Sequence, residues 1–363
     1  MSVSTVPAPK KPEDTSELRR GWTTGACASA AAASAFVALQ GKAFEDPVRI
    51  RLPGGQEPAF ALAHELRSEG WAEAGIIKDA GDDPDVTHGA LVKVRVSKGA
   101  KGSGLTFVAG EGVGVVTKPG LPIAVGEASI TPGPRAQMEE ALQARNGGET
   151  PDLIVELSIP GGEEMAAKTL NPRLGIVGGL SVLGTTGIVI PYSCSSWIHS
   201  IHRGIDVSRA LGLKHVIGST GDTSERAAKA MFDVPDEALL DMGDFAGGML
   251  KYLAQHPVER VTIAGGFGKL TKLAQGALDL HSSRSQVDVS FLQGLAESAK
   301  IDWTAITSAA QALMACEAEG IPIGDRVAAL AQAKAQSLLS EESLADILIF
   351  DRTGRLVGRA DGR

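Results

Sequence analysis

HVIGSTGDTSERAAKAMFDVPDEALLDMGDFAGGMLKYLAQHPVERVTIAGGFGKLTKLAQG, residues 215–276, carries the rhythm that decides the fold class. His215 to Gly218 reads as a short apolar strand, and Gly221 opens a helix through Met231. Leu239 to Met242 is a second strand leading into a helix over Phe245 to Leu253. Arg260 to Ala264 is a third strand, and Leu270 to Leu278 a third helix. Strand and helix alternating at this spacing predict a parallel sheet wrapped by helices. Ligands of such sheets lie beyond the carboxyl ends of the strands. That rule lines up Gly221, Asp222 and Thr223, then Gly243 and Asp244, then Gly265, Gly266 and Gly268 along one edge. Asp244 follows the second strand, where an acidic group commonly accepts hydrogen bonds from a ribose diol. The edge suits an adenosine-bearing cofactor. The alternative for Asp244 is a helix cap.

Downstream, Val327 to Leu339 is helical in pattern. Ile347 to Phe350 and Leu356 to Gly358, joined by Asp351-Arg352-Thr353-Gly354, look like a closing hairpin. Upstream the alternation is irregular. Thr23-Thr24-Gly25 precedes an alanine-rich run from Ala26 to Gln40 closed by Gly41, with threonine and glycine at its two ends as helix boundary signals. Val48 to Leu52 and Leu91 to Val96 alternate as strands, with Pro53-Gly54-Gly55 as a turn. A glycine-punctuated stretch from Gly110 to Pro134 leads to a helix over Ala136 to Arg145 and a strand over Leu153 to Ile159. The expected organisation is a flexible tail over 1–17 and an α+β domain with glycine-rich loops over 18–200. A Rossmann-like α/β domain over 201–320 follows, then C-terminal helices and a hairpin over 321–363. No internal repeat is visible.

At 363 residues the chain is long enough for two cores. Hydrophobic residues make up 43% but aromatics only 4%, while glycine reaches 44 residues, a balance that points to close backbone packing and many turns. Basic residues number 35 and acidic residues 43, a net charge of −8, which disfavours general nucleic-acid binding because phosphate neutralisation needs a concentrated basic face. Cys27, Cys194 and Cys316 lie far apart, without metal-ligand spacing and in odd number, against a secreted disulfide framework. The opening MSVSTVPAPKKPEDTSE lacks an apolar signal core, and no window nears the roughly 18 to 20 apolar residues of a membrane span. The expectation is a soluble cytoplasmic protein with neither a nucleic-acid nor a membrane partner. A homo-oligomer is compatible with it.

Four glycine-rich segments stand out: Gly110 to Pro122, Ile159 to Ser193, Gly218 to Glu225 and Ala264 to Gly276. Glycine lets backbone approach a ligand, and helix-start amides attract anions; tight turns are the competing explanation. Two phosphate motifs are excluded. Gly268-Lys269 is followed by Leu270 rather than Ser or Thr, and Val115 sits where a dinucleotide loop needs its third glycine. In IKDAGDDPDVTHGA, from Ile77, four carboxylates (Asp79, Asp82, Asp83, Asp85) crowd near His88. Clustered carboxylates raise one another's pKa and can prepare a general base, and with histidine can hold a metal. A solvated acidic turn, favoured by Gly81 and Pro84, is the other explanation. Asp82, Asp83 and His88 are the catalytic candidates. His281 is a further lone histidine, and Cys194 has no base nearby in sequence.

Taken together, LRRGWTTGACASAAA (from Leu18), IKDAGDDPDVTHGA (from Ile77), GEGVGVVTKPGLP (from Gly110), IPGGEEMAAKTLNPRLGIVGGLSVLGTTGIVIPYS (from Ile159), DMGDFAGGML (from Asp241) and AGGFGKLTKLAQG (from Ala264) closely resemble the cobalt-precorrin-5B C(1)-methyltransferases, the CbiD family of anaerobic cobalamin biosynthesis. The segments occur in the family's order from about residue 18 to 300, and the last sixty or so residues match loosely. Where the family often carries an acidic residue after Pro191-Tyr192-Ser193, this chain has Cys194. The resemblance implies an α+β domain joined to a Rossmann-like one. It also implies methyl transfer from S-adenosylmethionine to carbon 1 of cobalt-precorrin-5B, giving cobalt-precorrin-6A and S-adenosylhomocysteine. The alternative is a corrinoid-binding or carrier protein without catalysis. Cobalt would arrive inside the small-molecule tetrapyrrole substrate, so no protein metal site is expected. The carboxylate arms of such a ring call for Lys, Arg and backbone amides. Lys78, Lys118, Lys168, Arg173, Thr185, Thr186 and Lys269 are the substrate-binding candidates, with Arg135 beside them.

Overall fold

A computed structural model describes residues 18–297 and 300–362. The N-terminal stretch expected to be a flexible tail lies outside the described residues. The chain divides into two compact units, the second beginning at Cys194.

In the first unit an α-helix, α1 (Thr24–Leu39), lies against a five-stranded sheet. The strands are β1 (His64–Ser68), β2 (Trp71–Ile77), β3 (Leu91–Lys98), β4 (Leu105–Ala109) and, after a second helix α2 (Pro132–Gln143), β5 (Leu153–Ser158). The order is β1-β2-β3-β5-β4, antiparallel except for the parallel β4–β5 pair. In β3, Val92, Val94 and Val96 are fully buried while Lys93 and Arg95 face away, the period-two signature of a sheet with one covered face. Nearly every residue of α1 is buried, so its run of alanines serves close approach to strands on one side and α2 on the other. Thr23 caps it, accepting from the Ala26 amide at 3.2 Å. Its two buried serines are satisfied, Ser29 Oγ donating to the Gly25 carbonyl and Ser34 Oγ to the Glu45 carbonyl. Of the strand expected over Val48 to Leu52, only Val48–Arg49 pairs, with Ala59–Phe60.

The second unit opens with a helix, α3 (Cys194–Ala210), that the sequence pattern did not reveal. Then come β6 (His215–Ser219), α4 (Asp222–Lys229), β7 (Leu239–Asp241), α5 (Ala246–Gln255), β8 (Arg260–Gly266) and α6 (Phe267–Ala274). Three further helices, α7 (Val289–Ala296), α8 (Ala309–Ala318) and α9 (Ile323–Gln336), precede β9 (Leu344–Phe350) and β10 (Leu356–Ala360). The sheet order is β7-β6-β8-β9-β10, with the first four parallel and β10 antiparallel to β9. The closing hairpin therefore completes this same sheet. Helix α6 starts directly at the end of β8, three residues before the expected Leu270. Ile217, Leu239, Ala264, Leu348 and Phe350 pack with Ala228 on the α4 side, while Gly218 faces Met242 and Met249 on the other.

This topology places one feature that matters for function. Chain order runs from β6 outward to β7, then returns to the opposite flank of β6 as β8. At such a reversal the loops leaving the two central strands diverge, and a crevice opens beyond their carboxyl ends.

Candidate functional site

Glycine-rich segments of the first unit pack on one another. A Cβ on Gly179 would stand 2.2 Å from the Gly112 carbonyl, and one on Gly162 would stand 2.2 Å from the same oxygen. Gly112 itself has φ +71 and closes on the Ile159 carbonyl. Val113 bridges Leu180, so the segments Gly110–Pro122 and Ile159–Ser193 interlock backbone to backbone, and Ile130 beyond the first bridges Val182. Here glycine serves close chain packing rather than an anion cradle.

The same interlocking assembles the substrate-binding candidates of this unit. Thr117 donates through both its amide and its hydroxyl to the Gly175 carbonyl at 2.7 Å, and the Lys118 stem lies over Gly175. Lys118 and Arg173, both half-buried, thus come from adjoining runs of backbone. Lys168 is exposed, just past the helical turn Gly162–Ala166. Thr185 and Thr186 are exposed on a loop fastened to the start of α1, through Thr23 N to Gly187 O and Gly25 N to Leu183 O, both 3.0 Å. Arg135 is a structural clasp, donating to the Ile130 carbonyl and to Glu127, each at 2.8 Å.

The acidic segment is not one cluster: its four carboxylates are held by different groups. Lys78, expected to meet substrate, is only 3% exposed and is locked to Asp85 and Thr87, so it is not available to a ligand. Burial pushes Asp85 up, yet the Lys78 charge and hydrogen bonds from Lys78 and Thr87 hold it below the ordinary carboxylate range. Asp79 is gripped by both Arg19 guanidinium nitrogens, at 2.5 and 2.9 Å, which hold it down to about 2. Asp82 is exposed and accepts the Arg19 amide at 2.6 Å.

Asp83 differs from all of these. It is half-buried and accepts the Tyr192 amide at 2.8 Å, and burial raises its pKa, with the Asp85 charge adding to the effect. Tyr192 has φ +56, a left-handed conformation rare for a bulky residue and often found where function holds a backbone in place. His88 is exposed, and its Nδ1 accepts the Ala80 amide at 3.1 Å. That bond occupies the ring's lone pair and leaves Nε2–H outward when the ring is neutral. His88 is therefore built as a donor, not as the base the sequence suggested. His281 pairs with the neighbouring Ser283 in a surface turn. Among the described residues no group of three or more His, Cys, Asp or Glu could hold a metal ion.

In the second unit the cofactor-binding candidates lie at and just beyond the carboxyl ends of β6, β7 and β8. Gly221 is extended (φ 162), and a Cβ on it or on Gly266 would meet nothing within 4 Å. Glycine is not demanded by packing at either position, so both leave backbone open for a ligand to approach. Gly265 is different, because a Cβ there would strike Leu270 and Thr220. Gly268 faces only Ala309 at 3.6 Å. Asp222 and Thr223 are exposed in the first turn of α4, with Asp222 paired to Arg226 at 2.9 Å. Lys269, expected among the substrate contacts, belongs instead to this crevice. It donates to the Thr220 carbonyl at 3.0 Å and pairs with Asp244 at 3.1 Å, tying together the loops after β6, β7 and β8. Beyond it, buried Lys272 donates to the Leu280 carbonyl, and burial lowers its pKa.

Sequence reasoning passed over four residues, three in the second unit and Tyr192 in the first. Ser219 and Asp241 end β6 and β7 as register partners, and Trp197 reaches over Gly243 from α3. Tyr192 joins Asp83 across more than a hundred residues of chain. Nothing local in the sequence signals such pairings.

The CbiD family description matches residues 11–191, and the description CbiD, C-terminal domain, matches 279–361. A protein from Paramagnetospirillum magneticum named cobalt-precorrin-5B C(1)-methyltransferase is 57% identical, over 96% of this chain and 99% of its own. The chain belongs to the CbiD family. Other CbiD relatives of the same name, from Brucella anthropi and Brucella canis, are 54% and 55% identical over 99% of the chain and 100% of their own length. A crystal structure of the cobalamin biosynthesis protein (cbiD) from Archaeoglobus fulgidus is 28% identical, with a TM-score of 0.39, covering 74% of this chain and 83% of that one.

Proposed function

We propose that the chain transfers a methyl group from S-adenosylmethionine to carbon 1 of cobalt-precorrin-5B, yielding cobalt-precorrin-6A and S-adenosylhomocysteine. The observation that carries this is identity above half, at nearly full length, with relatives named for that reaction. S-adenosylmethionine supplies an electrophilic methyl on a positively charged sulfur. Carbon 1 of the ring is the nucleophile, so no protein Ser or Cys has to form a covalent intermediate. What the chain's residues contribute is alignment and exclusion of water.

The Rossmann-like second unit takes the donor at the crevice of β6 and β8, where Gly221 and Gly266 leave backbone exposed to open space. In the first unit Lys118, Arg173 and Lys168 meet the carboxylate arms of the ring, with Thr185 and Thr186 offering hydroxyls. Asp83, its pKa raised by burial, is suited to accept a ring proton, and the outward Nε2–H of His88 to donate a hydrogen bond to the substrate. Cobalt belongs to the substrate. Among the described residues no helix is long and apolar enough to cross a membrane, and a pathway enzyme acting on a small soluble ring fits the cytoplasm.

The test is anaerobic incubation with isotopically labelled S-adenosylmethionine and cobalt-precorrin-5B, followed by mass analysis of the tetrapyrrole. A gain of one labelled methyl is expected, and an unchanged mass overturns the proposal. Titration calorimetry separates the carrier alternative, since a carrier has no reason to bind the methyl donor.

A further inference from the structure

Gln137 is a polar residue buried in the first unit, only 3% exposed, on the second turn of α2. Its side-chain nitrogen donates to the Gly184 carbonyl at 2.7 Å and makes a longer, weaker contact with the Thr185 carbonyl at 3.4 Å. These two carbonyls fix the orientation of the amide, since the reversed one would set oxygen against oxygen. The other end of the group, Oε1, is buried with no hydrogen-bond partner among the described residues. A buried acceptor left alone costs stability and calls for an explanation. A hydrocarbon of similar size would avoid that cost, so what Gln137 adds is its donor, and the donor serves one loop.

That loop, residues 183–187, is held on one side by the starts of two helices. The Gly25 amide of α1 donates to the Leu183 carbonyl, and the Thr23 amide to the Gly187 carbonyl, both at 3.0 Å. A Cβ on Gly184 would stand 2.3 Å from Thr23 Oγ1, and one on Gly133 of α2 would stand 3.0 Å from the Gly184 carbonyl and 3.2 Å from the Thr185 Cα. Backbone thus presses on backbone there, and Gln137 supplies a donor to the middle of the loop. Thr185 and Thr186 remain exposed. A loop so firmly seated keeps two hydroxyls at a set height without ordering them anew when a ligand arrives.

We infer that Gln137 is a positioning residue for the tetrapyrrole: through the Gly184 and Thr185 carbonyls it holds the 183–187 loop so that Thr185 and Thr186 meet the arms of the ring. The inference rests on the proposed substrate contact of those two threonines. A contact of this kind acts alike on the ground state and the transition state, so its loss raises KM and spares kcat. A residue needed only for folding behaves otherwise, because fewer folded molecules lower the apparent kcat and leave KM as it was.

The experiment uses the full chain. Gln137→Met keeps the volume while removing the donor and the unpartnered acceptor together. Hydrogen exchange over 183–187 should quicken severalfold while the rest of the first unit keeps its protection. The KM for cobalt-precorrin-5B should rise about three- to tenfold, the worth of one hydrogen bond, with kcat and S-adenosylhomocysteine affinity within about twofold of the wild type. Gln137→Glu keeps the shape and, while protonated, one donor for the Gly184 carbonyl. Its KM relative to the wild type should therefore fall toward parity as the pH drops from about 8 to about 6, whereas that of Gln137→Met should stay flat. Thr185→Val and Thr186→Val probe the loop's contact with substrate directly. The inference is overturned if a threonine variant raises KM and Gln137→Met does not, or if Gln137→Met lowers the apparent kcat with KM unmoved. Should Gln137→Met fail to fold, the pH series of Gln137→Glu decides. If neither threonine variant alters KM, the loop's contact with substrate is refuted, and the role of Gln137 falls with that reading rather than on its own.

Discussion

Replacing Gly112 and Gly221 by alanine, one at a time, should separate two uses of glycine that look alike in the sequence. Gly112 sits at φ +71, and a Cβ there would come within 2.0 Å of the Ile159 carbonyl and 2.8 Å of the Gly162 amide nitrogen. The left-handed backbone alone costs about 1–2 kcal/mol for a residue with a Cβ. Both close neighbours are backbone atoms, which cannot rotate aside, so overpacking adds about 1–3 kcal/mol. Together about 3 kcal/mol is expected, a fall in melting temperature of roughly 6–12 °C for a unit of this size. Gly221 is extended at φ 162 and faces open space. Alanine there should change stability by less than about 0.5 kcal/mol. It should nonetheless weaken S-adenosylhomocysteine binding severalfold, because the methyl group enters the space assigned to the ligand. Thermal melting followed by calorimetric titration of both variants is the assay. A Gly112→Ala protein that melts with the wild type would refute the packing argument. A Gly221→Ala protein that binds normally would remove that loop from the donor site.

Lys78→Met should destabilise by about 3–5 kcal/mol, since it strands the largely buried Asp85 without its cation. The loss should shrink as the pH is lowered toward 4, where Asp85 can protonate, and denaturant melts at pH 4 and pH 7 check this. Asp83 has a raised pKa, so its folded form holds a proton more tightly than the unfolded chain. Its contribution is fully present below the ordinary carboxylate pKa and lost as pH rises through the raised one. Asp83→Asn should therefore gain stability relative to the wild type between pH 4 and 7, while methyl transfer slows and donor affinity stays unchanged. An unaltered turnover rate would take Asp83 out of the chemistry. Lys168→Ala should raise the KM for cobalt-precorrin-5B and leave S-adenosylhomocysteine affinity untouched, because that exposed lysine belongs to the first unit and the proposed donor residues to the second.

The repeating strand–helix pattern of 215–276 and the capped alanine helix could be read directly, because both depend on interactions within a few residues: periodicity, caps and glycine stops. The ordered motifs likewise carried the family. Other elements escaped because their cause lies elsewhere in the chain. Strand β2 reads WAEAGII, with small residues buried on one face and Glu73 on the other, where His64, Lys93 and Arg95 from neighbouring strands neutralise it. Lys78 looked like a free cation until Asp85 and Thr87 closed over it. Asp244 reads as a lone acidic residue after a strand until Lys269 pairs with it. Local sequence sets which segments can be helix or strand, since those bonds close nearby. Which carboxylate is answered, which glycine touches backbone and which polar atom is left alone depend on partners tens of residues away, and folding alone brings those together.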